Sequence, residues 1–136
     1  MADRLSEHFA LAEFACKCGR WPRCTRTRPL PALVAALETA RARHYPTGLV
    51  IESGVRCAVH NAAVGGAKRS RHVAGAAADL RVPRMRIREA IACGFVGIGV
   101  RRQGRQWVVS HVDIRPGPVV VWEYPSRALV PESEWT

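Results

Sequence analysis

The sequence predicts an α+β domain built on a mostly antiparallel sheet with helices packed on one side. Three observations carry this. The periodic segments run in the order helices, strand, loop, strand, helix, then three strands joined by tight turns. Two stretches, 76–82 and 106–115, alternate apolar and polar residues at period two, the signature of a strand with one face in a core. A third, 31–44, carries apolar residues at helical spacing and is closed by Tyr45-Pro-Thr-Gly48.

The elements follow in order. Residues 5–15 include Ser6, a good N-cap, and have apolar residues at helical spacing, so they predict a short helix or two turns docked on the core. Residues 16–30 hold Gly19, Pro22, Pro29 and three cysteines and read as an irregular loop. Pro31 suits the first turn of a helix that runs to about His44, with Leu33, Val34, Leu37 and Ala40 on its buried stripe and Glu38, Arg41 and Arg43 facing away. Leu49-Val-Ile-Glu-Ser53 predicts a strand, central in the sheet because its first three residues are apolar. Residues 57–64 predict a short helix ended by Gly65-Gly66, and 68–71 a basic loop.

From Ala76 one strand face carries Ala76, Ala78, Leu80 and Val82, and the other Ala77, Asp79 and Arg81. Pro83 introduces a helix from Arg84 to about Cys93, burying Met85, Ile87, Ile91 and Ala92, with Gly94 as its C-cap. Val96-Gly-Ile-Gly-Val-Arg101 is a strand thinned by two glycines, Gln103-Gly104 turns it into 106–115, and Pro116-Gly117-Pro118 turns that into 119–124. A chain of 136 residues fits one domain, 1–136, with 1–30 as an N-terminal helix and cysteine-containing loop and 125–136 as a peripheral tail.

Composition narrows the function. No apolar run approaches the ~18 residues of a membrane span. The first residues carry charges of both signs and no apolar core segment, so the expectation is synthesis in the cytoplasm without a signal peptide. A formal net charge of +10, mostly arginine, favours anionic partners such as a cell envelope or nucleic acid. The basic residues are spread along the chain, and aromatic stacking residues do not interleave with them, which argues against a specific nucleic-acid-binding domain. Five cysteines, an odd number, argue against a full disulfide framework. Cys16, Cys18, Cys24 and Cys57 could form a four-thiolate structural zinc site. The single residue between Cys16 and Cys18 is tighter than the usual two to four, so one disulfide plus thiols, or thiols throughout, is the preferred reading.

The candidate site lies in the two alternating strands. His72 and Asp79 are seven residues apart, and Gly75 allows a turn that brings His72 back beside Asp79. In 106–115 the alternation puts Val109, His111, Asp113 and Arg115 on one face. His72, Asp79 and His111 make two imidazoles and one carboxylate, a set suited to a catalytic zinc with an open fourth position. His8 and His44 are assigned no role, and His60 reads as a local hydrogen-bonding residue.

Ser53-Gly-Val-Arg-Cys-Ala-Val-His-Asn61, Val64-Gly-Gly-Ala67, Ser70-x-His72-x-x-Gly75-x-Ala77-x-Asp79, Gly97-Ile-Gly99 and Ser110-His-Val-Asp-Ile-Arg115 follow one another in a fixed order. Together they resemble the zinc D-Ala-D-Ala carboxypeptidase and L-Ala–D-Glu endopeptidase superfamily, which shares its fold with the Hedgehog signalling domain. The opening Leu5-Ser-Glu-His-Phe and Glu13-Phe-Ala-Cys-Lys-Cys-Gly19 look like the start of small phage-endolysin-like members.

The resemblance implies a Hedgehog/DD-peptidase-like fold, zinc held by His72, Asp79 and His111, and a substrate carboxylate or carbonyl held by Arg56. Ser70 would support the substrate or the His72 loop. Several members have a carboxylate three residues before the second histidine, where this chain has Val108. Asp113, ~6.6 Å along the strand from His111, is the substitute, either as general base or as a partner orienting a histidine; Glu52 and Glu123 stand further out. The implied activity is zinc-dependent hydrolysis of peptidoglycan stem peptides next to a D-amino acid, by a monomer acting on the cell wall after release. The rival reading is a zinc-containing binding module of the same fold without turnover.

Overall fold

The computed structural model describes residues 3–19, 24, 28–67 and 70–136. Lys68 and Arg69 of the expected basic loop, and 20–23 and 25–27 of the expected cysteine loop, lie outside the described residues.

Pro31–His44 forms α1, and the predicted stripe of Leu33, Val34, Leu37 and Ala40 is buried. Glu38 does not face away. It accepts hydrogen bonds from the Ser6 hydroxyl (2.5 Å) and the His8 backbone N–H (2.7 Å), and the His8 ring Nδ1 lies 2.7 Å away. Ser6 is thus spent on α1 and caps no helix of its own. The N-terminal segment folds as one short 3₁₀ turn, Leu11–Phe14, which sinks Phe14 into the core beside Phe9.

The sheet has five strands: β1 (Ile51–Ser53), β2 (Ala77–Leu80), β3 (Gly97–Gln103), β4 (Gln106–Asp113) and β5 (Val120–Glu123). Their spatial order is β1-β2-β4-β3-β5. Between them lie α2 (Ala58–Ala63) and α3 (Ile87–Ala92). Two expectations fail here. β1 is an edge strand rather than a central one, and Val50, beside it, is exposed. The sheet is mixed rather than mostly antiparallel, because β5 runs parallel to β3. The turn at Pro116-Gly117-Pro118 does reverse the chain, but β4 is already paired on both edges, with β2 and β3. β5 therefore crosses to the remaining edge, that of β3, where it adds in parallel.

Helix α3 starts at Ile87 rather than Arg84. Arg86 is its N-cap, with the Glu89 carboxylate accepting the Arg86 N–H at 2.8 Å. Ala90, three residues on from Ile87 and on the same helix face, is buried, whereas Ala92 is exposed. The core joins Leu33, Leu37, Met85 and Ile87 from the helical side to Ala78, Leu80, Ile98, Val100, Val109, Val112 and Val121 from one face of the sheet. The segment 125–136 is tied down: Val130 is buried, Trp135 donates to the Val130 carbonyl (3.0 Å), and the Arg88 N–H donates to the Thr136 carbonyl (2.9 Å). No helix is long and apolar enough to cross a membrane among the described residues.

A bulge in β3–β4 decides what the opposite sheet face presents. Gly99 pairs with His111 but Val100 pairs with Val109, so Ser110 is an extra residue. Val109 therefore points into the core, not onto the face of His111 and Asp113 as strict alternation predicts. Beyond the bulge Val112 takes the core side, and His111 and Asp113 are left on the other face.

Candidate metal centre and its cavity

Asp79 and His111 are direct cross-strand partners in the β2–β4 ladder. That register, fixed by the burial of Ala78 and Val112, is enough to bring their side chains together. The His111 Nδ1 lies 3.0 Å from Asp79 Oδ1. His72 arrives on the turn 71–75, which Gly75 closes at φ +73°, a conformation that favours glycine. Its Nε2 stands 3.4 Å from the same Asp79 oxygen.

Each imidazole is held from behind. The His72 Nδ1 donates to the Gly54 carbonyl at 2.7 Å, which leaves Nε2 to face Asp79. The His111 Nε2 donates to Asp113 Oδ2 at 2.8 Å, which leaves Nδ1 to face Asp79. Asp113 is fully buried. Arg115 binds it bidentately, Nε to Oδ1 at 2.9 Å and Nη2 to Oδ2 at 2.8 Å, and the Arg115 backbone N–H adds a third contact at 3.2 Å.

The electrostatics follow. Burial alone would raise the Asp79 carboxyl, but hydrogen bonds from His111 and His72 and their positive charge outweigh it and hold it well below the usual carboxylate range. Burial likewise opposes ionisation of Asp113, and the Arg115 guanidinium with His111 overrides it downward. Burial disfavours the charged form of His111, yet its two carboxylate partners push it above its ordinary value.

These donors fit a zinc ion. One atom from each of His72, Asp79 and His111 lies within 4.8 Å of the other two. Ligands at ~2.0–2.1 Å from tetrahedral zinc are roughly 3.4 Å apart, close to the 3.0 and 3.4 Å found here. Both rings aim one nitrogen inward and anchor the other on an acceptor, as metal-bound histidines do.

The centre opens into a cavity of about 770 Å³. Arg56 lines it, with Nη2 3.3 Å from Asp79 Oδ2 and Nη1 3.3 Å from the Asn61 side-chain oxygen. Ser70 also lines it, and its hydroxyl accepts the His72 N–H at 3.2 Å, which stiffens the His72 turn. The sequence-predicted site residues Arg56, Ser70, His72, Asp79, His111 and Asp113 thus gather at one end of the sheet. Glu123 instead accepts a hydrogen bond from the Ser126 hydroxyl and does not line the cavity.

Several contributors were given no role from the sequence, although Gly97, Gly99 and Arg115 lie within its motifs. Gly97 stands opposite Asp113 and Gly99 opposite His111, and a Cβ on Gly97 would collide with the Asp113 carboxylate. The two glycines make the room in which the buried ion pair sits. Trp122 and Tyr124 reach the cavity because β5 lies beside β3. The ring of Trp122 is 5.1 Å from that of His111, and the Arg115 guanidinium is 5.0 Å above Trp122. The signal for Arg115 was present in its position two residues beyond Asp113 on one face; that for Trp122 was hidden by the unexpected strand order.

The family profile described as peptidase M15 matches residues 7–113, a span that includes all three candidate ligands. No curated protein matches the chain. The match covers most of the sequence and agrees with a histidine–aspartate–histidine centre in a cavity. The chain belongs to the peptidase M15 family of zinc metallopeptidases.

Proposed function

We propose that the chain is a zinc-dependent peptidase of peptidoglycan stem peptides, cutting next to a D-amino acid in the manner of a phage or prophage endolysin, and working on the cell wall after release. The observation that carries this reading is the cavity itself. Arg56, Arg71, Arg101, Arg115 and Arg127 line a cavity whose acidic residues, among the described residues, are Asp79 and Glu52. Stem peptides carry free carboxylates, which guanidinium forks bind well. The net charge of +10 would also favour the anionic envelope.

His72, Asp79 and His111 would hold the zinc, which when bound supplies a Lewis acid for the scissile carbonyl and an activated water. Hydrolysis breaks the C–N bond, adds hydroxyl to the acyl carbon and returns a proton to the leaving amine. Asp113 is a positioning residue: both its oxygens are engaged by His111 and Arg115, and it is sealed from solvent. Glu52, half-exposed and with Oε2 accepting from Arg81 Nε at 2.6 Å, is the cavity carboxylate outside the ligand set and the group we assign to proton transfer. Arg56 would orient the substrate.

Digestion of purified muropeptides followed by mass spectrometry tests the proposal. The expected products differ from the substrate by one added water at a bond beside a D-residue, and chelation stops their formation. Intact substrate from every wall preparation, with zinc bound, would replace the peptidase by a binding module.

A further inference from the structure

A second group of ligands lies outside the cavity. The sulfurs of Cys16, Cys18, Cys24 and Cys57 all lie within 4.8 Å of one another. We propose that these four cysteines form a structural tetrathiolate zinc site that staples the N-terminal segment to the wall of the catalytic cavity.

The geometry suits that ion. With Zn–S bonds of ~2.3 Å, the sulfurs of a tetrahedral site are roughly 3.8 Å apart, so the four need move only slightly to close on a metal. Four soft sulfur ligands in this arrangement select zinc over hard cations. A site with four protein ligands has no open position, which makes it structural rather than catalytic.

Two objections raised by the sequence lose their force. The odd count of five cysteines divides into four plus Cys93, which is buried at the end of α3. No disulfide joins any of them among the described residues. The tight Cys-Lys-Cys spacing is no bar, because the irregular backbone at 16–18 already brings both sulfurs within 4.8 Å of each other and of the other two. Lys17, between them, is exposed and bonds outward to the Glu52 carbonyl.

The sulfurs also have donors behind them. The Cys57 N–H donates to Cys16 Sγ (3.2 Å) and the His60 N–H to Cys57 Sγ (3.4 Å). Backbone donors of this kind offset part of the negative charge that four thiolates bring to one ion.

The consequence reaches the catalytic cavity. Cys57 follows Arg56, and the same stretch supplies the Gly54 carbonyl that holds His72. The Val55 N–H bonds the Phe14 carbonyl at 2.9 Å, and a Cβ on Gly54 would meet Phe14 Cα at 2.8 Å. Residues 54–57 are thus clamped between the N-terminal segment and His72, and the metal would lock that clamp across 41 positions of sequence.

The test uses the whole chain, purified under reducing conditions, in four forms. The native chain should carry two zinc ions, His72→Ala one, and the double variant Cys18→Ser/Cys24→Ser one. Cobalt(II) replaces zinc in the fourth preparation, made from the His72→Ala chain, whose cysteines are intact. It should give the intense near-ultraviolet sulfur-to-cobalt charge-transfer absorption that imidazole and carboxylate ligands do not produce. One zinc in the native chain, with no such absorption from cobalt, overturns the proposal, as does intact-mass evidence that the four cysteines are disulfide-linked. The cobalt spectrum keeps the test decisive if the cysteine variant fails to fold. Because it is read with the His72 centre disabled, its outcome is independent of whether the chain is a peptidase.

Discussion

Nε2 of His111 donates to Oδ2 of Asp113 at 2.8 Å, and the same oxygen accepts from Arg115 Nη2 at 2.8 Å. One fully buried carboxylate therefore fixes both the tautomer of a candidate ligand and the position of a cavity arginine. Asp113→Asn keeps the shape but weakens both bonds. Zinc affinity at the His72 centre should fall about 10–100-fold, measured by competition with a chromophoric chelator. Glu52→Gln should do the reverse, leaving zinc content unchanged while kcat falls about 10²–10⁴-fold. Zinc loss in Glu52→Gln, or undiminished affinity in Asp113→Asn, would exchange the two roles.

Gly97 is required by contact rather than by backbone conformation. An added Cβ would overlap the Asp113 carboxylate, which has nowhere to move because Arg115 and His111 hold it. Gly97→Ala should cost about 1–3 kcal/mol of stability and loosen zinc in parallel, seen as a lower midpoint in urea. Gly104, in the β3–β4 turn, has φ +65° and nothing near its Cβ position, so Gly104→Ala should cost only its backbone strain and leave zinc affinity alone.

Arg56 is held by Asp79 on one side and Asn61 on the other, each at 3.3 Å. Arg56→Lys keeps the charge but loses the planar fork. We expect kcat/KM to fall by about tenfold or more, equivalent to the ~1.5–3 kcal/mol of a charged hydrogen bond, mostly through KM. A variant with native KM would remove Arg56 from substrate binding.

Glu38 provides a pH signature outside the candidate metal centre. Burial alone would raise its carboxyl, but the Ser6 hydroxyl, the His8 N–H and the His8 ring together hold it below its ordinary value of 4.5. A depressed folded pKa stabilises fully above the unfolded value and is lost as pH falls through the folded one. Glu38→Gln should therefore be less stable than the native chain by about 1–3 kcal/mol near neutral pH, with the gap closing as the pH drops below about 4.5. A gap independent of pH in thermal melts would contradict this.

What could be read in advance follows from where each signal resides. Helix α1 was legible because Pro31 and the 33-34-37-40 stripe are local. The meeting of Asp79 with His111 was legible because they sit on polar faces of alternating strands that pair directly. The parallel placement of β5 was not, because it depends on which strand edge is already occupied, a property of the whole sheet. Val109 was misplaced because a bulge is invisible to strict alternation. Cys57 could be named from the sequence as a fourth partner for Cys16, Cys18 and Cys24, but its arrival beside Cys16 is set by the approach of Gly54 to Phe14, a tertiary contact that no local spacing encodes.

The most direct test of the central claim is anomalous diffraction at the zinc absorption edge from crystals of the native chain. The expected result is a peak bonded to His72 Nε2, Asp79 Oδ1 and His111 Nδ1 at about 2.0–2.2 Å each, with the fourth position turned toward the cavity. Zinc-replete crystals with no peak among those three side chains would contradict it.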